Sequence, residues 1–379
     1  MQYRNFGKLD FKPSVLGFGL MRLPVVGNDS AKIDYPQAEE MIRYAIENGI
    51  NYFDTAYVYH QGQSEIFLGK TLKKNNWREK INIATKLPSW NLSSKNDLDK
   101  IFEEQLKRLQ TDYVDFYLLH SLDLEQWNLF QKFDALNWLD KKIQEGKIKY
   151  AGFSFHDDFL VFEKIINSYN WTFCLLQHDL LDIDYQAGIN GINLAYDKNI
   201  AVVTMEPLKG GKLVNPSPNI NSIWEEAENK RTPVQWAFDY LWDNPQISVV
   251  LSGMSSPAQL KENIEYANKS KANSLTDKDK QAIEKVRQEY QKIKTVPCTK
   301  CNYCSICPQK INIPIIFEIY NDFLIYNQKD QFDKKIKELK EKKEFEKCLE
   351  CKKCESICPQ KIKIVDELKN VLTALPDNK

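Results

Sequence analysis

The sequence predicts a (β/α)8 barrel followed by a small, mainly α-helical, cysteine-rich domain. The barrel is predicted by eight short apolar runs within residues 1–290 and by the amphipathic stretches that separate them. The second domain is predicted by the cysteines, because eight of the nine lie between Cys298 and Cys358. At roughly 100–200 residues per domain, a chain of 379 residues has room for both.

The eight apolar runs have the character of buried parallel strands. They are rich in Val, Ile, Phe and Tyr and are apolar on both faces. In chain order they are 15–19, 50–54, 81–86, 113–120, 150–155, 172–177, 201–205 and 248–253. A doubly wound sheet is the alternative, but it usually has fewer strands and a G-x-G-x-x-G turn after the first, which is absent here. Eight strand–helix units in about 250 residues favour the barrel.

Helical patterns fill the intervals between the runs. Residues 35–48 place five apolar side chains on one stripe and stop at Gly49. Thr232 and Pro233 are typical of an N-cap followed by proline in the first helical turn. These patterns extend to the polar stretch that follows the last run, which predicts a helical bridge. We therefore expect a barrel over 1–275, the bridge over 276–296 and the second domain over 297–379, with a helical insert over 314–347.

Charge and hydropathy exclude several classes of function. The chain carries 52 Lys+Arg and 52 Asp+Glu, and zero net charge argues against nucleic acid as the main partner. No apolar run reaches the ~18 residues that span a bilayer, and the first residues lack an apolar signal core. We expect a cytoplasmic protein that does not act at a membrane. The charge is unevenly distributed along the chain, since the segment 291–379 contains 18 basic and 13 acidic residues and so has a net charge of +5.

The clustered cysteines form two runs with iron–sulfur spacing. The first is C-x2-C-x2-C-x2-C-P and the second is C-x2-C-x2-C-x3-C-P. The members are Cys298, Cys301, Cys304 and Cys307, then Cys348, Cys351, Cys354 and Cys358. The second run is the bacterial [4Fe–4S] pattern and the first departs from it by one residue. Soft thiolates are the ligands that such clusters prefer, so the sequence predicts two [4Fe–4S] clusters.

The fourth cysteine of each run is expected to serve the other cluster. Three thiolates from one tight turn can meet one face of a cubane, and in two-cluster ferredoxins the fourth ligates the second cluster. Cys307 would thus join the second run, and Cys358 the first. Disulfides are disfavoured in a cytosolic chain. Two zinc sites are chemically feasible, but zinc usually takes separated C-x2-C pairs. The helical insert resembles an α-helical ferredoxin module.

Polar residues at the predicted strand ends form a second candidate site. Asp54 closes the second run, Lys86 the third and His120 the fourth, while Tyr59 follows Asp54 in the loop. Functional residues of such barrels lie at the carboxyl ends of the strands. A nearby ammonium favours the phenolate form of tyrosine and should lower its pKa. A histidine can hydrogen-bond a carbonyl oxygen as it gains negative charge, so these four residue types suit carbonyl chemistry.

Eight stretches of residues 1–270 carry a resemblance to the aldo-keto reductase superfamily. They are NYFDTAYVY (51–59), GQSE with LG (62–65, 68–69), ATK (84–86), DFYLLH (115–120), GFS (152–154), EPL (206–208), GMS (253–255) and EN (262–263). The whole chain resembles the branch in which the barrel precedes a 4Fe-4S ferredoxin-type module. The resemblance implies that Asp54, Tyr59, Lys86 and His120 form the catalytic tetrad.

The resemblance also implies a nicotinamide nucleotide across the barrel mouth. The cofactor-contact positions that carry over are Ser154, Gln177, Pro207, Leu208, Gly253, Ser255, Gln259, Glu262 and Asn263. Basic residues that often bind a 2′-phosphate in the family are replaced by Gly253 and Gln259, so both NADP and NAD stay open. The aromatic residue that commonly stacks on the nicotinamide is replaced by Met205.

The implied function is an oxidoreductase that reduces a small aldehyde or ketone by hydride transfer, with Tyr59 as proton donor. A nicotinamide moves two electrons together and a cubane moves one, so direct coupling needs a flavin or another converter. The clusters would then either transfer electrons or have a structural role. Alternatively, the barrel is a sensor or electron-transfer module that docks a partner carrier. The basic second domain would attract an acidic ferredoxin or flavodoxin.

Three histidines, one tryptophan and one lysine–glycine segment are weaker candidates for the site. His60, His156 and His178 lie near strand ends, and Trp90 follows Lys86 in a loop. The segment 209–212 (KGGK) could meet a phosphate or be a turn. Cys174 is expected to be a buried apolar residue on a strand.

Overall fold

A closed barrel of eight parallel strands, ordered β1 to β8, forms the larger part of the computed structural model. The structure describes residues 1–27, 29–298, 303–341, 347–358 and 360–374. The strands are β1 (Leu16–Gly19), β2 (Tyr52–Asp54), β3 (Asn82–Leu87), β4 (Val114–Leu122), β5 (Ile148–Phe155), β6 (Phe173–Gln177), β7 (Ala201–Met205) and β8 (Ile247–Gly253). The predicted fold class is confirmed.

Helices follow the strands and fill the second domain. They are α1 (Tyr35–Glu47), α2 (Gln63–Asn75), α3 (Asn96–Leu109), α4 (Leu124–Lys132), α5 (Ala135–Gln144), α6 (Phe159–Ile166), α7 (Gly188–Asp197), α8 (Pro218–Glu226), α9 (Pro233–Asp243), α10 (Pro257–Lys269), α11 (Asp277–Lys292), α12 (Ile313–Tyr326), α13 (Lys329–Glu341), α14 (Lys353–Ser356) and α15 (Ile364–Thr373). Short 3-10 turns cover Leu20–Arg22, Tyr59–Gly62, Arg78–Lys80, Ser89–Asn91, Lys209–Gly211 and Tyr303–Ile306. No described helix combines the length and apolarity needed to cross a membrane.

Aromatic side chains fill the barrel interior near the start of the strands. The ring of Phe6, which precedes β1, lies 5.1 Å from the ring of Phe116 and 5.6 Å from that of Phe173. The Arg4 guanidinium donates to the carbonyls of Asn244 and Ile247, just before and at the start of β8. The N-terminal segment therefore packs at the amino ends of the strands. The carboxyl ends, where barrel enzymes place their functional groups, carry the candidate site.

The fourth strand differs from its expected extent. His120 was expected to close it, but β4 continues to Leu122 with a shift in its pairing to β5 between Leu119 and Leu122. Ser121 has φ 53, a left-handed conformation that non-glycine residues adopt at a local cost. The irregularity accommodates two extra residues beyond His120.

The described chain forms two compact units. One contains residues 1–210 and 235–275, and the other contains 211–234 together with the C-terminal part from residue 276. The second unit has its own apolar core, which includes Ile316, Phe317, Ile336 and Val371. The insert expected to be helical over 314–347 is two helices, since Asn327 adopts φ 53 between α12 and α13. Residues 342–346 of that expectation lie outside the described residues.

Candidate active site and cysteine cavity

Lys86 is the centre of a polar cluster at the carboxyl ends of β2 and β3. Its ammonium lies 2.6 Å from Asp54 Oδ1, 2.7 Å from the Thr55 carbonyl oxygen and 3.2 Å from Tyr59 Oη. Lys86 and Asp54 are both buried. The register explains the meeting, because Asp54 pairs with Ala84 and Lys86 lies two residues further along the same face of β3.

The loop that begins at Tyr59 fixes the position of this residue. His60 and Gln61 have φ 53 and 54 and Gly62 has φ 86, so the chain turns sharply before α2. The His60 Nε2 accepts from the Leu23 N–H at 3.1 Å, and its Nδ1 lies 2.7 Å from the Ser30 carbonyl oxygen. His60 therefore fastens this loop to the segment after β1. Its ring nitrogens are used structurally rather than in the pocket.

His120 completes the group of four. Its ring lies 6.3 Å from the Tyr59 ring, and on the other side 5.1 Å from the half-exposed Trp90 ring. Burial, supported by the charge of Lys86, lowers the pKa of His120 well below its ordinary value. The imidazole is therefore neutral at neutral pH. The structure thus brings together Asp54, Tyr59, Lys86 and His120. It also places the Trp90 ring against the ring of His120.

The pKa values of the cluster follow from burial and from the central ammonium. Burial lowers the pKa of Lys86, but Asp54 and Tyr59 outweigh it and the net shift is upward. Burial raises the pKa of Tyr59 above its ordinary value, and the opposing effect of Lys86 is smaller. The expected net lowering of the tyrosine pKa is therefore wrong, because the sequence shows the ammonium but not the extent of desolvation. Tyr59 is fully protonated at neutral pH.

Glu206, just after β7, is a neighbour that sequence reasoning did not single out. Its backbone has φ 61, a region that costs a non-glycine residue of order 1–3 kcal/mol and is concentrated at functional sites. Its charge acts on both Tyr59 and His156. His156 lies 3.3 Å from the Gln186 amide nitrogen, and burial lowers its pKa. No sequence signal marks the strained residue, since it is not a glycine.

The expected nicotinamide contacts lie at the ends of β5, β6 and β7. Ser154 is buried, and its hydroxyl oxygen accepts from the Ser121 N–H at 2.7 Å. Gln177 is the last residue of β6 and pairs in register with Met205, the last residue of β7. Pro207 and Leu208 follow in the loop that Glu206 begins. These residues occupy one rim of the barrel, and the Ser154 oxygen is already engaged in holding the irregular end of β4.

The expected adenosine-phosphate loop after β8 makes its own hydrogen bonds. The Ser255 hydroxyl donates to the Arg22 carbonyl at 2.8 Å, and the Ser255 N–H donates to Gln259 Oε1 at 2.8 Å. Asn263 donates to the Ser252 hydroxyl at 3.2 Å, while Glu262 accepts from Tyr266. These residues shape the loop and link it to the segment after β1.

Arg22 is the cation that sequence reasoning missed. Its Cβ, Cγ and Cδ lie 3.1 Å from the point where a Cβ on Gly253 would stand, and its Nη2 lies 2.9 Å from the same point on Gly210. The side chain thus runs from the end of β8 towards the loop after β7. It forms no ion pair with any residue that the structure describes. Its positive charge therefore lies beside Gly210, while its aliphatic stem lies against Gly253.

A cavity in the second unit gathers cysteines from both runs. It is lined by four of them, namely Cys307, Cys348, Cys351 and Cys354. None of the eight described cysteines forms a disulfide. Within the described residues, no three His, Cys, Asp or Glu side chains converge closely enough to hold a single metal ion. Cys301, one of the expected ligands, lies outside the described residues.

The loop through Cys351 has an unusual backbone. Glu350 and Lys352, on either side of it, have φ 51 and 56. Such left-handed residues between ordinary ones form backbone concavities known from phosphate and iron–sulfur sites. The donor set and the loop shape both fit an iron–sulfur cluster in this cavity.

Comparisons with known proteins agree with this geometry. Residues 15–288 match the model of the "Aldo/keto reductase family", and residues 297–362 match that of the "4Fe-4S dicluster domain". The chain belongs to the aldo/keto reductase family. It is similar to the oxidoreductase YqkF of Bacillus subtilis (strain 168), with 28% identity over 75% of this chain and 96% of the relative. It is also 29% identical to L-galactose dehydrogenase of Arabidopsis thaliana, over 70% and 87% of the two chains.

Among solved structures, aldo-keto reductase AKR11C1 from Bacillus halodurans in its holo form is similar, with a TM-score of 0.62 and 28% identity. The match covers 76% of this chain and 96% of that one. The protein is thus an aldo/keto reductase-type oxidoreductase that carries a C-terminal 4Fe-4S domain.

Two of the weaker candidates have clear positions in this aldo/keto reductase. Cys174 is fully buried on β6, as expected. Lys209 lies 3.8 Å from the buried Asp179 and also contacts Asp182 in the loop after β6. Burial raises the pKa of Asp179 to about 6. Lys209 therefore holds the loops after β6 and β7 together.

The other weaker candidates are also engaged. His178 is buried and lies 3.4 Å from the Tyr240 hydroxyl. Lys212, the far end of the KGGK segment, makes an ion pair with Asp322 at 2.8 Å and lies over the Tyr326 ring. Lys212 belongs to the second unit, and its charge is paired with Asp322 on α12.

Proposed function

We propose that this aldo/keto reductase reduces a small aldehyde or ketone with NADPH or NADH as the hydride source. The observation that carries the proposal is the ammonium of Lys86 between the Asp54 carboxylate and the Tyr59 hydroxyl. When bound, the nucleotide supplies a hydride to the carbonyl carbon. The residues of the chain supply the proton and the stabilisation of charge.

Tyr59 is the proposed proton donor. Its hydroxyl is protonated at neutral pH, because burial raises its pKa. As the carbonyl oxygen gains negative charge, the Tyr59 proton passes to it and the phenolate forms 3.2 Å from Lys86. The ammonium stabilises this phenolate. The Asp54 carboxylate holds the buried ammonium in position and balances its charge. Water then returns a proton to Tyr59.

His120 is proposed to orient the substrate. A neutral imidazole can donate one hydrogen bond to the carbonyl oxygen without adding a second positive charge beside Lys86. Trp90 and Glu206 would border the pocket on either side.

Arg22 is proposed to bind the phosphates of the nucleotide. Its aliphatic stem lies against Gly253 at the end of β8, and its guanidinium lies beside Gly210 in the loop after β7. A planar guanidinium is a favourable partner for phosphate oxygens. Both NADPH and NADH carry a pyrophosphate, so this site accepts either.

The second domain is proposed to hold two [4Fe–4S] clusters. Cys307, Cys348, Cys351 and Cys354 would hold one, since they line one cavity. Cys298, Cys301, Cys304 and Cys358 would hold the other. These clusters would exchange electrons with a ferredoxin or flavodoxin in the cytoplasm. A flavin or other converter would still be needed to couple them to hydride transfer.

The test is an anaerobic titration of the holoprotein with NADH and NADPH, followed by turnover with a panel of small aldehydes and ketones. We expect Tyr59→Phe to bind nucleotide normally and to lose roughly 10²–10⁴-fold in turnover. Tyr57→Phe is the matched control, because the Tyr57 hydroxyl bonds to Glu104 outside the cluster. If neither nucleotide binds, the reductase proposal is wrong and a sensor or electron-transfer module is favoured.

A further inference from the structure

One edge of the cysteine cavity is open to solvent. Cys351 is exposed, and the adjacent Leu349 is 64% exposed, although both line the cavity. Cys354, on the same cavity, is only 9% exposed. A single exposed leucine is ordinary on a protein surface. Here the leucine lies beside an exposed thiol that would bind the cluster, so this edge brings the proposed cluster close to solvent.

The loop that presents Cys351 is fixed in position. Glu350 makes an ion pair with Lys369 at 2.9 Å, and Glu355 accepts from the Val365 N–H at 2.9 Å. Both contacts tie the loop and α14 to α15. The left-handed residues Glu350 and Lys352 on either side of Cys351 give the loop a defined shape. The exposed edge is therefore preformed rather than a loose loop.

The edge is positively charged. Lys352 lines the cavity, Lys353 follows it, and Lys310 follows the cavity residue Gln309 on the opposite loop. All three side chains are exposed, and none forms an ion pair with a residue in the described ranges. Of the acids described on this loop, Glu350 is paired with Lys369, and the single charge of Glu355 is outnumbered by the three lysines.

We propose that Leu349, Cys351, Lys310, Lys352 and Lys353 form the docking face for a small acidic electron-carrier protein. The inference rests on the proposed cluster in the same cavity. An apolar centre with a charged rim is the usual anatomy of a protein interface. Charge complementarity selects an acidic partner and steers its approach.

The electron transfer across this face is a simple exchange. A reduced one-electron carrier loses one electron and the cluster behind Cys351 gains it, with no bond formed or broken. The carrier leaves oxidised, and the reverse reaction runs when the cluster is the stronger reductant.

The probe is a reduced plant-type [2Fe–2S] ferredoxin, an acidic carrier with a potential near −400 mV. It is mixed anaerobically with the oxidised holoprotein, and its oxidation is followed by stopped-flow absorbance. The variant Lys310→Glu/Lys352→Glu/Lys353→Glu should lower the association rate by roughly 10-fold or more at low salt. The difference should shrink at high salt, where charges are screened.

The charge-matched control is Lys334→Glu/Lys335→Glu/Lys337→Glu, on exposed positions of α13. It should slow the reaction far less. Leu349→Ser should weaken docking at unchanged charge, with Ile315→Ser, another exposed apolar position of the same unit, as its control. Equal slowing by both triple variants overturns the docking face, because net charge alone would then explain the effect.

Two readouts separate this proposal from the one on which it rests. Iron and sulfide content, with the electron paramagnetic resonance spectrum after dithionite reduction, reports whether clusters are present in every variant. Absent clusters in the wild-type protein overturn the cluster assignment itself. Intact clusters with ferredoxin rates unaffected by the Lys310, Lys352 and Lys353 changes overturn only the docking face.

Discussion

The Lys86 ammonium nitrogen lies 3.2 Å from the Tyr59 hydroxyl oxygen; Lys86 is fully buried and Tyr59 is partly buried. This environment acts on the pKa of Tyr59 in two opposite directions. Desolvation holds the proton on Tyr59, while the ammonium stabilises the phenolate once the proton has left. A site of this kind keeps its acid loaded at neutral pH and releases it only to a developing oxyanion.

The first prediction concerns the pH dependence of both reaction directions. Because the pKa of Tyr59 is raised above its ordinary value of 10.0, carbonyl reduction should show no alkaline loss from this group below that pH. Alcohol oxidation needs the phenolate, so its turnover should rise with pH over the same range. Initial rates in both directions across this range measure the two profiles. A fall in reduction with a midpoint below 10 that disappears in Tyr59→Phe would contradict the raised pKa.

The second prediction concerns Arg22 and nucleotide binding. Arg22→Ala removes a charged hydrogen-bond donor worth roughly 1.5–3 kcal/mol, so affinity for the nucleotide should fall about 10- to 100-fold. The pyrophosphate is common to both nucleotides, so NADH and NADPH should lose equally. Isothermal titration calorimetry measures both constants. Lys198→Ala, an exposed lysine before the start of β7, should leave both unchanged. A loss confined to NADPH would instead place Arg22 at the 2′-phosphate.

Arg22 also shows where sequence reasoning stopped. Gly253 and Gln259 suggested a loop without a cation, but closure of the barrel pairs β1 with β8 and brings Arg22 across to Gly253. The eight strands were predictable because buried parallel strands are apolar on both faces. The proximity of the four candidate catalytic residues was predictable because Asp54, Lys86 and His120 stand at or near strand ends and Tyr59 follows in the loop after β2. The path of one flexible side chain between two loops leaves no pattern in the sequence.

Burial was the other quantity that the sequence did not contain. The proximity of Lys86 to Tyr59 followed from strand-end positions, but the net direction of the tyrosine pKa depended on desolvation. The same holds for Glu206, whose left-handed backbone is set by the turn that continues to Lys209. Both effects arise from tertiary packing rather than from residue type.

The third prediction concerns stability and Asp179. Its pKa is raised to about 6 in the folded protein, against roughly 3.9 in an unfolded chain. Between these values the folded state holds a proton that the unfolded state has lost, so stability should fall as pH rises from 4 to 6 and stay reduced above it. Asp179→Asn should remove this dependence and raise the free energy of unfolding at pH 7 by roughly 1–3 kcal/mol.

Urea denaturation of both proteins at pH 5 and pH 7.5 measures the effect. Asp184→Asn is the control, because Asp184 is an exposed carboxylate on the same loop. Relative to the wild-type protein, Asp179→Asn should raise the free energy of unfolding more at pH 7.5 than at pH 5. Equal changes at the two pH values would show that Asp179 does not titrate between them.

The fourth prediction concerns which cysteines share a cluster. Cys307 belongs to the first run but lines the cavity of Cys348, Cys351 and Cys354. If it serves that cluster, Cys307→Ala/Cys351→Ala damages one site only, and iron should fall from roughly eight to about four atoms per chain. Cys304→Ala/Cys351→Ala damages both sites and should leave almost no iron. Cys174→Ala is the control and should keep the full content, since Cys174 is buried in the barrel. Loss of both clusters in the Cys307 and Cys351 double variant would show that each run binds its own cluster without exchange.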